Sequence, residues 1–255
     1  MKIDLERITK IYRHPRKADR VVLKDISFSI EAGDFVIILG ESGCGKTTLL
    51  NLLAGLEHPS SGSIHVDGRT IKGIHPSRSM LFQQPTLIPW LNVRENVAYG
   101  CKIRGDIKDL DYRVNQFLEI MGLGRFSDSK PGQLSLGMAQ RVCLARALVG
   151  HPRALLLDEP FASLDTFTQA HIQEELVNLW LSEKFTAVFV THDIDEAIRL
   201  GTKIILLAGE PANITDIFEI DEAYPRDRNH TRFKEIRVKI LKRFKTAYLA
   251  KRSLL

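Results

Sequence analysis

Residues 35–48 read FVIILGESGCGKTT: five apolar residues in a row, then a glycine-rich loop, then the start of a helical pattern. The run at 35–39 has no polar alternation, the mark of a strand buried on both faces. Directly behind it, residues 40–48 satisfy GxxxxGKT in the strand–loop–helix setting that this pattern requires. Gly40, Gly43 and Gly45 let the backbone turn its N–H groups inward around phosphate oxygens, and Glu41, Ser42 and Cys44 complete the loop. The helix that follows presents the positive end of its dipole. Lys46 is placed to reach β- and γ-phosphates and the Thr47 hydroxyl to ligate Mg²⁺, with Thr48 beside it. A glycine-rich turn alone would serve as a tight connection, whereas the full motif in this setting predicts binding of ATP or GTP. No guanine-specifying motif accompanies it. Tyr12 offers an aromatic face on which adenine could stack, although packing on a sheet would use the same ring.

Two further apolar runs, ALLL at 154–157 and TAVFV at 186–190, share the character of 35–39, and helical patterns lie between them. This alternation predicts an α/β fold with a mainly parallel sheet covered by helices. Segments 3–11 and 21–30 flank the polar stretch 14–20 and read as a strand pair, an antiparallel N-terminal β part. Ile107, Leu110, Val114, Phe117 or Leu118, and Met121 recur at three- and four-residue spacing and predict an amphipathic helix, so residues from about 84 to 150 read as an inserted helical lobe. After Leu207 the sheet pattern ends. Phe233, Ile236, Ile240, Phe244 and Tyr248 then predict a helix with one apolar stripe. The expected organisation is a nucleotide-binding domain over residues 1–210, carrying the lobe, and a basic C-terminal tail with a helix over residues 211–255.

The run ALLLDEP puts Asp158 and Glu159 at the end of a buried strand, where the carboxyl edge of a parallel sheet opens toward bound phosphates. Joined to a phosphate-binding loop, the pair predicts a division of labour. Asp158 holds Mg²⁺ through water, and Glu159 orients or deprotonates the attacking water. His192, in the sequence THD after the 186–190 run, emerges at the same edge and is expected to hydrogen-bond the γ-phosphate or the attacking water, although a lone histidine is more often structural.

Composition narrows the field. With 255 residues, 44% hydrophobic and 26% charged, the chain can bury a large core. Its longest apolar runs, such as 35–39 and 204–208, are far shorter than the roughly 20 residues of a membrane helix, so it is not expected to span a membrane. Residues 1–7 mix charges with single apolar side chains and do not read as a signal peptide, which predicts a cytoplasmic location. Cys44, Cys101 and Cys143 are far apart and form no CxxC pair, favouring reduced thiols over a zinc site or a disulfide. The formal charge of +5 resides in the tail, where residues 211–255 hold 11 of 36 Lys+Arg and 6 of 31 Asp+Glu while the rest is balanced. A solvated helix face is the usual role of such a tail; anionic lipid is the other, and no nucleic-acid partner is expected.

The sequence as a whole resembles the ATP-binding subunits of ABC transporters, over nearly all of its length. The phosphate-binding loop is joined by LSLGM at 134–138, DEP at 158–160, ASLD at 162–165 and THD at 191–193. LSLGM is similar to the family's LSGGQ signature. The resemblance implies that Ser135 and Gly137, at a helix N-terminus, complete the ATP site of an opposing subunit, so that two such domains, identical or homologous, sandwich two ATPs. It implies that Gln83, in MLFQQP, senses nucleotide and Mg²⁺ as part of the catalytic set and faces the membrane subunit. It also implies that Asp165 communicates across the dimer and that Tyr12 is the adenine platform. More narrowly, FQQPTLIPWLNVRENV at 82–97, DEPFASLDTFT at 158–168 and YPRDR at 224–228 resemble importers for nitrate, aliphatic sulfonates or taurine.

The implied function is an ATPase, dependent on ATP and Mg²⁺, that energises import from the cytoplasmic face of the membrane. Its implied partners are a second ATPase subunit, two membrane permease subunits and, indirectly, an extracytoplasmic solute-binding protein. Soluble ABC ATPases of assembly or nucleic-acid work, and ABC subunits of lipid or efflux systems, are the alternatives. One ATPase domain, with neither a coiled-coil insertion nor a zinc-type cysteine cluster, weighs against the soluble group. One residue departs from the pattern: Leu136 stands where the family usually has glycine, and its side chain either points away harmlessly or weakens closure around the γ-phosphate.

Overall fold

The computed structural model describes residues 1–15 and 18–252, with side chains as far as residue 246. In chain order its strands are β1 Ile3–Tyr12, β2 Arg20–Ile30, β3 Phe35–Gly40, β4 Ser61–Val66, β5 Arg69–Thr70, β6 Arg78–Leu81, β7 Ala154–Asp158, β8 Thr186–Thr191, β9 Lys203–Gly209 and β10 Ala212–Glu219. The helices are α1 Lys46–Ala54, α2 Val93–Arg104, α3 Leu110–Ile120, α4 Leu136–Leu148, α5 Thr166–Glu183, α6 Ile194–Leu200 and α7 Thr231–Arg252. They form two compact units, Met1–His75 with Lys184–Leu255, and Pro76–Glu183.

In the first unit the strands lie in the order β5-β4-β1-β2-β10-β9-β3-β8. Every residue of β3 is buried, as its unbroken apolar run requires. It pairs in parallel on both sides, Ile37 lying opposite Phe189 of β8 and Ile204 of β9. The rings of Phe35 and Phe189 pack at 6.4 Å between centroids, tilted by 43°. The N-terminal strands β1, β2 and β4 are antiparallel, as the polar stretch between the first two suggests.

The tail departs from the sequence expectation. The sheet does not end after Leu207: β9 continues to Gly209, and β10 turns back antiparallel along it, touching β2 where Ala212 meets Leu23. β10 alternates in burial along its length, but an aspartate, Asp216, takes one of the inward positions and Ile217 faces outward, which hides the strand from a reading of apolar alternation. Beyond it, α7 packs on α6 and β9. Phe233 and Ile240 are buried and Ile236 and Phe244 half-buried, while the Tyr248 side chain of the expected stripe lies outside the described residues.

In the second unit β6 and β7 pair in parallel, and α2 packs against α3 and α4. The periodic stripe becomes α3, with Leu110, Val114, Phe117, Leu118 and Met121 buried. Ile107, expected on the same stripe, precedes the helix and is exposed, since the helix begins only at Leu110. A capping box starts α2, where Asn92 and Glu95 exchange side-chain-to-backbone hydrogen bonds of 2.8 and 2.7 Å.

One turn into α2, the fully buried Asn96 serves the irregular segment that precedes the helix. Its Oδ1 accepts from the Ile88 amide at 2.8 Å, and its Nδ2 lies 3.0–3.2 Å from the carbonyls of Ile88, Leu91 and Asn92. A segment without regular structure thus has its backbone groups satisfied by one amide side chain. Asn96→Ala is expected to lower unfolding free energy by about 2–3 kcal/mol, because it strands buried backbone groups; urea denaturation of the two proteins measures this, and equal midpoints would contradict it.

Candidate nucleotide-binding site

The loop after β3 is shaped by what its glycines exclude. A Cβ at Gly40 would lie 2.5 Å from the Leu207 carbonyl oxygen and 2.8 Å from Cys44 Sγ. Gly45 has φ +104°, in the left-handed region that glycine tolerates, and a Cβ there would come 2.9 Å from Leu23 Cδ2. At Gly43, also left-handed, no atom of the described residues lies within 4 Å of a built Cβ, so that edge of the loop is open. Lys46 folds back beneath the loop with 4% of its surface exposed. Its Nζ donates to the carbonyls of Gly40 and Glu41 at 2.9 and 2.8 Å. These two bonds hold an ammonium group in a position where burial would otherwise disfavour it. Gly45 gives α1 no side-chain cap, so the helix opens toward the loop with its dipole uncompensated by an acid in the first turn. A cationic donor pinned against a glycine-turned loop that leads into a helix start without a side-chain cap fits a phosphate chain.

At the end of β1, Tyr12 is brought to this loop's helix: its Oη lies 3.4 Å from Thr48 Oγ1. The phenol donates to the Glu57 carboxylate, 2.9 and 2.7 Å from its two oxygens. Lys10 Nζ sits 2.9 Å from Glu57 and 5.0 Å from the centre of the Tyr12 ring. The ring is thereby fixed at both ends and remains partly exposed. Burial pushes the Glu57 pKa up, but hydrogen bonds from Lys10, Tyr12 and Asn51 outweigh it and hold the carboxyl below its ordinary value.

His192 is exposed immediately after β8. Its neighbours, to which the motifs assign no role, fix the backbone there. The Asp193 amide donates to Thr191 Oγ1 at 3.0 Å, and Asp193 Oδ1 accepts from the amides of Asp195 and Glu196 at 2.7 and 3.1 Å, capping α6.

The remaining candidates lie in the second unit. Asp158 is buried at the last position of β7, and Glu159 follows with φ +43°, a left-handed conformation uncommon for a residue with a side chain. Such strain is held in place by surrounding structure and concentrates at functional positions. Gln83 is exposed beyond β6. The segment it belongs to is tied to α4 twice, by Gln140 Nε2 donating to the Phe82 carbonyl at 3.2 Å and by Arg146 donating to the Thr86 carbonyl and hydroxyl at 2.9 Å each.

Ser135 caps α4, accepting the Met138 amide at 3.3 Å. A Cβ at Gly137 would meet Leu164 Cδ2 at 3.1 Å and the Ser163 carbonyl at 3.5 Å, so the unit brings the signature glycine against the chain just before Asp165. Leu136, first residue of α4, is 60% exposed and needs no glycine-like backbone. Asp165 accepts from the amides of Phe167 and Thr168 at 3.2 and 3.0 Å, and hydrogen bonds from Thr168 lower its pKa.

A parallel strand, a phosphate-type loop and an acidic strand end define a P-loop nucleoside triphosphatase. Residues 23–162 match the ABC transporter family. An aliphatic sulfonates import ATP-binding protein, SsuB of Bacillus cereus, is 44% identical over 91% of this chain and 92% of its own. The bicarbonate transport ATP-binding protein CmpC of Synechocystis is 40% identical over 89% of this chain and 34% of its own. Among solved structures, the ATP-binding cassette MJ0796, a dimer in a post-hydrolysis state bound to ADP and Pi, is 31% identical with a TM-score of 0.78, covering 87% of this chain and all of its own. The chain belongs to the ABC transporter family as an ATP-binding, ATP-hydrolysing cassette.

The carboxylate beneath Tyr12 makes a pH-dependent contribution to stability. A folded-state pKa below the unfolded value of about 4.3 stabilises the fold fully above the unfolded pKa and ceases to do so as pH falls through the folded one. Glu57→Gln should therefore cost under about 1 kcal/mol at pH 7, since the pair is partly exposed. Melting curves of the two proteins should converge as pH is lowered from about 5 to below 4; a difference that grows on acidification would refute the assignment.

Proposed function

We propose that this chain powers an ABC importer for a small solute of the sulfonate, taurine or nitrate kind. The observation that carries the ATPase chemistry is Lys46, nearly buried and held by two loop carbonyls; the likeness to SsuB supports the importer and the solute class. Lys46 meets the β- and γ-phosphates, with backbone amides of residues 41–48 around them. Tyr12, fixed by Glu57, gives adenine its stacking face.

Thr47, Gln83 and Asp158 supply a hydroxyl, an amide carbonyl and a carboxylate, the hard oxygen donors that suit Mg²⁺. When bound, Mg²⁺ neutralises charge on the β- and γ-phosphates. Glu159 takes the proton of the attacking water, and His192 hydrogen-bonds that water or the γ-phosphate. Ser135 and Gly137 reach the γ-phosphate held by a second copy or a homologous subunit. The Ser135 oxygen accepts from Met138 through a lone pair, so its hydroxyl keeps a proton to donate. Asp165 relays contact between the two subunits. Two permease subunits dock at the segment containing Gln83, on the cytoplasmic side of the membrane, and a separate binding protein captures the solute.

Two substitutions separate binding from chemistry. Glu159→Gln should retain ATP affinity while slowing hydrolysis by roughly 10²-fold or more, since an amide cannot accept the proton. Lys46→Ala should weaken ATP binding itself. Fluorescent-nucleotide titration and phosphate release measure both; parental turnover in the first or parental affinity in the second would overturn these roles.

A further inference from the structure

The YPRDR segment at 224–228 has no part in nucleotide chemistry, yet two of its side chains reach the end of α6. Arg226 is 6% exposed. One of its terminal nitrogens donates to the carbonyls of Ile198 and Gly201 at 2.6 and 2.5 Å. Its Nε donates to Glu222 at 2.8 Å and its other terminal nitrogen to Ile220 at 3.2 Å, again at carbonyl oxygens. Tyr224 donates its hydroxyl to the Leu200 carbonyl at 2.6 Å, and its ring lies 4.1 Å from the guanidinium carbon. Three carbonyls at the C-terminal end of α6 are thus met by two side chains.

This matters because α6 is only seven residues long. A helix of that length is unstable by itself, and its end carbonyls need partners. The buried guanidinium meets those carbonyls and places positive charge at the negative end of the helix dipole. The other end is held as well, since Arg237 of α7 donates to Asp195 at 2.5 Å in the first turn. Gly201, just past the helix, packs where a Cβ would come 2.5 Å from Ile37 of β3, so the end of α6 lies close against that strand. Immediately before α6 stand its cap, Asp193, and His192. The position of His192 therefore depends on a helix whose length and placement are set from the C-terminal segment.

We infer that Tyr224, Arg226 and Arg237 are positioning residues for His192, so that residues 221–240 are a splint holding the histidine where hydrolysis needs it. The inference rests on the reading that His192 acts in hydrolysis. A small displacement of a catalytic group lowers turnover without changing nucleotide affinity. A guanidinium-to-ammonium change keeps charge but loses the fork that spans several carbonyls.

The test uses the full chain with Mg-ATP. Tyr224→Phe keeps the ring and removes one hydrogen bond, Arg237→Ala removes one surface contact, and Arg226→Lys removes the fork; the first two are conservative enough to fold if the third is not. Each is expected to lower kcat, by roughly three- to tenfold for Tyr224→Phe and Arg237→Ala and by more for Arg226→Lys, with KM for ATP unchanged. In a His192→Ala background the same changes should add no further loss. Parental kcat in the folded variants, or losses that add fully to that of His192→Ala, would overturn the inference while leaving the role of His192 intact. If His192→Ala itself keeps parental kcat, the hydrolytic reading of His192 fails and the splint with it.

Discussion

A strand with no exposed face, β3, is the constraint from which the site follows. Burying its five large apolar side chains is worth roughly 1.5–3 kcal/mol each, and a strand so buried needs its backbone N–H and C=O groups paired on both edges, which β8 and β9 do in parallel register. The chain must then leave the sheet at Gly40, where a side chain would strike the Leu207 carbonyl on the adjacent strand. It must turn within five residues to start α1. Left-handed glycines at 43 and 45 make that turn, and Lys46 returns beneath it to the carbonyls of Gly40 and Glu41. The phosphate cradle is thus a consequence of how a buried strand is allowed to end.

The motifs that are legible in the sequence are those whose chemistry is local. A run of apolar residues announces a two-sided strand, as at 35–39, 154–157 and 186–190, and GxxxxGKT announces a loop regardless of what lies around it. Features set by tertiary context are not legible in this way. In β10 an aspartate takes an inward position and Ile217 faces outward, and the side chain of Ile107 fits the helical spacing of α3 although the helix starts three residues later. Asn96 and Arg226 carry no local signal, because an asparagine in a helix or an arginine in a basic tail reads as solvated, whereas both are buried to serve backbone carbonyls. A polar residue's partner can lie far along the chain, and periodicity says nothing about it.

Several motif residues secure helix ends. Ser135 caps α4 and Asp165 accepts two amides at the start of α5, so positions to which the family resemblance gives roles across a dimer also hold local structure in this chain. Asp193 does the same for α6 beside His192. Leu136 enters at the first residue of a helix, a place that asks for no special backbone, and its side chain lies in the open. The departure from glycine is therefore a change of surface, felt by whatever faces α4, rather than a change of fold. The basic tail is similarly built in: Arg237 pairs with Asp195 of α6, tying part of its charge to the ATPase domain, and Arg243 pairs with Asp216 of β10 within the tail itself.

If ATP held by one copy's phosphate loop is completed by a second subunit, sedimentation shows it directly. With Glu159→Gln to prevent hydrolysis, adding Mg-ATP should convert monomer to dimer, and the further change Lys46→Ala should abolish that conversion. A mass that ATP leaves unchanged, or a dimer that forms equally well with Lys46→Ala, would contradict the account.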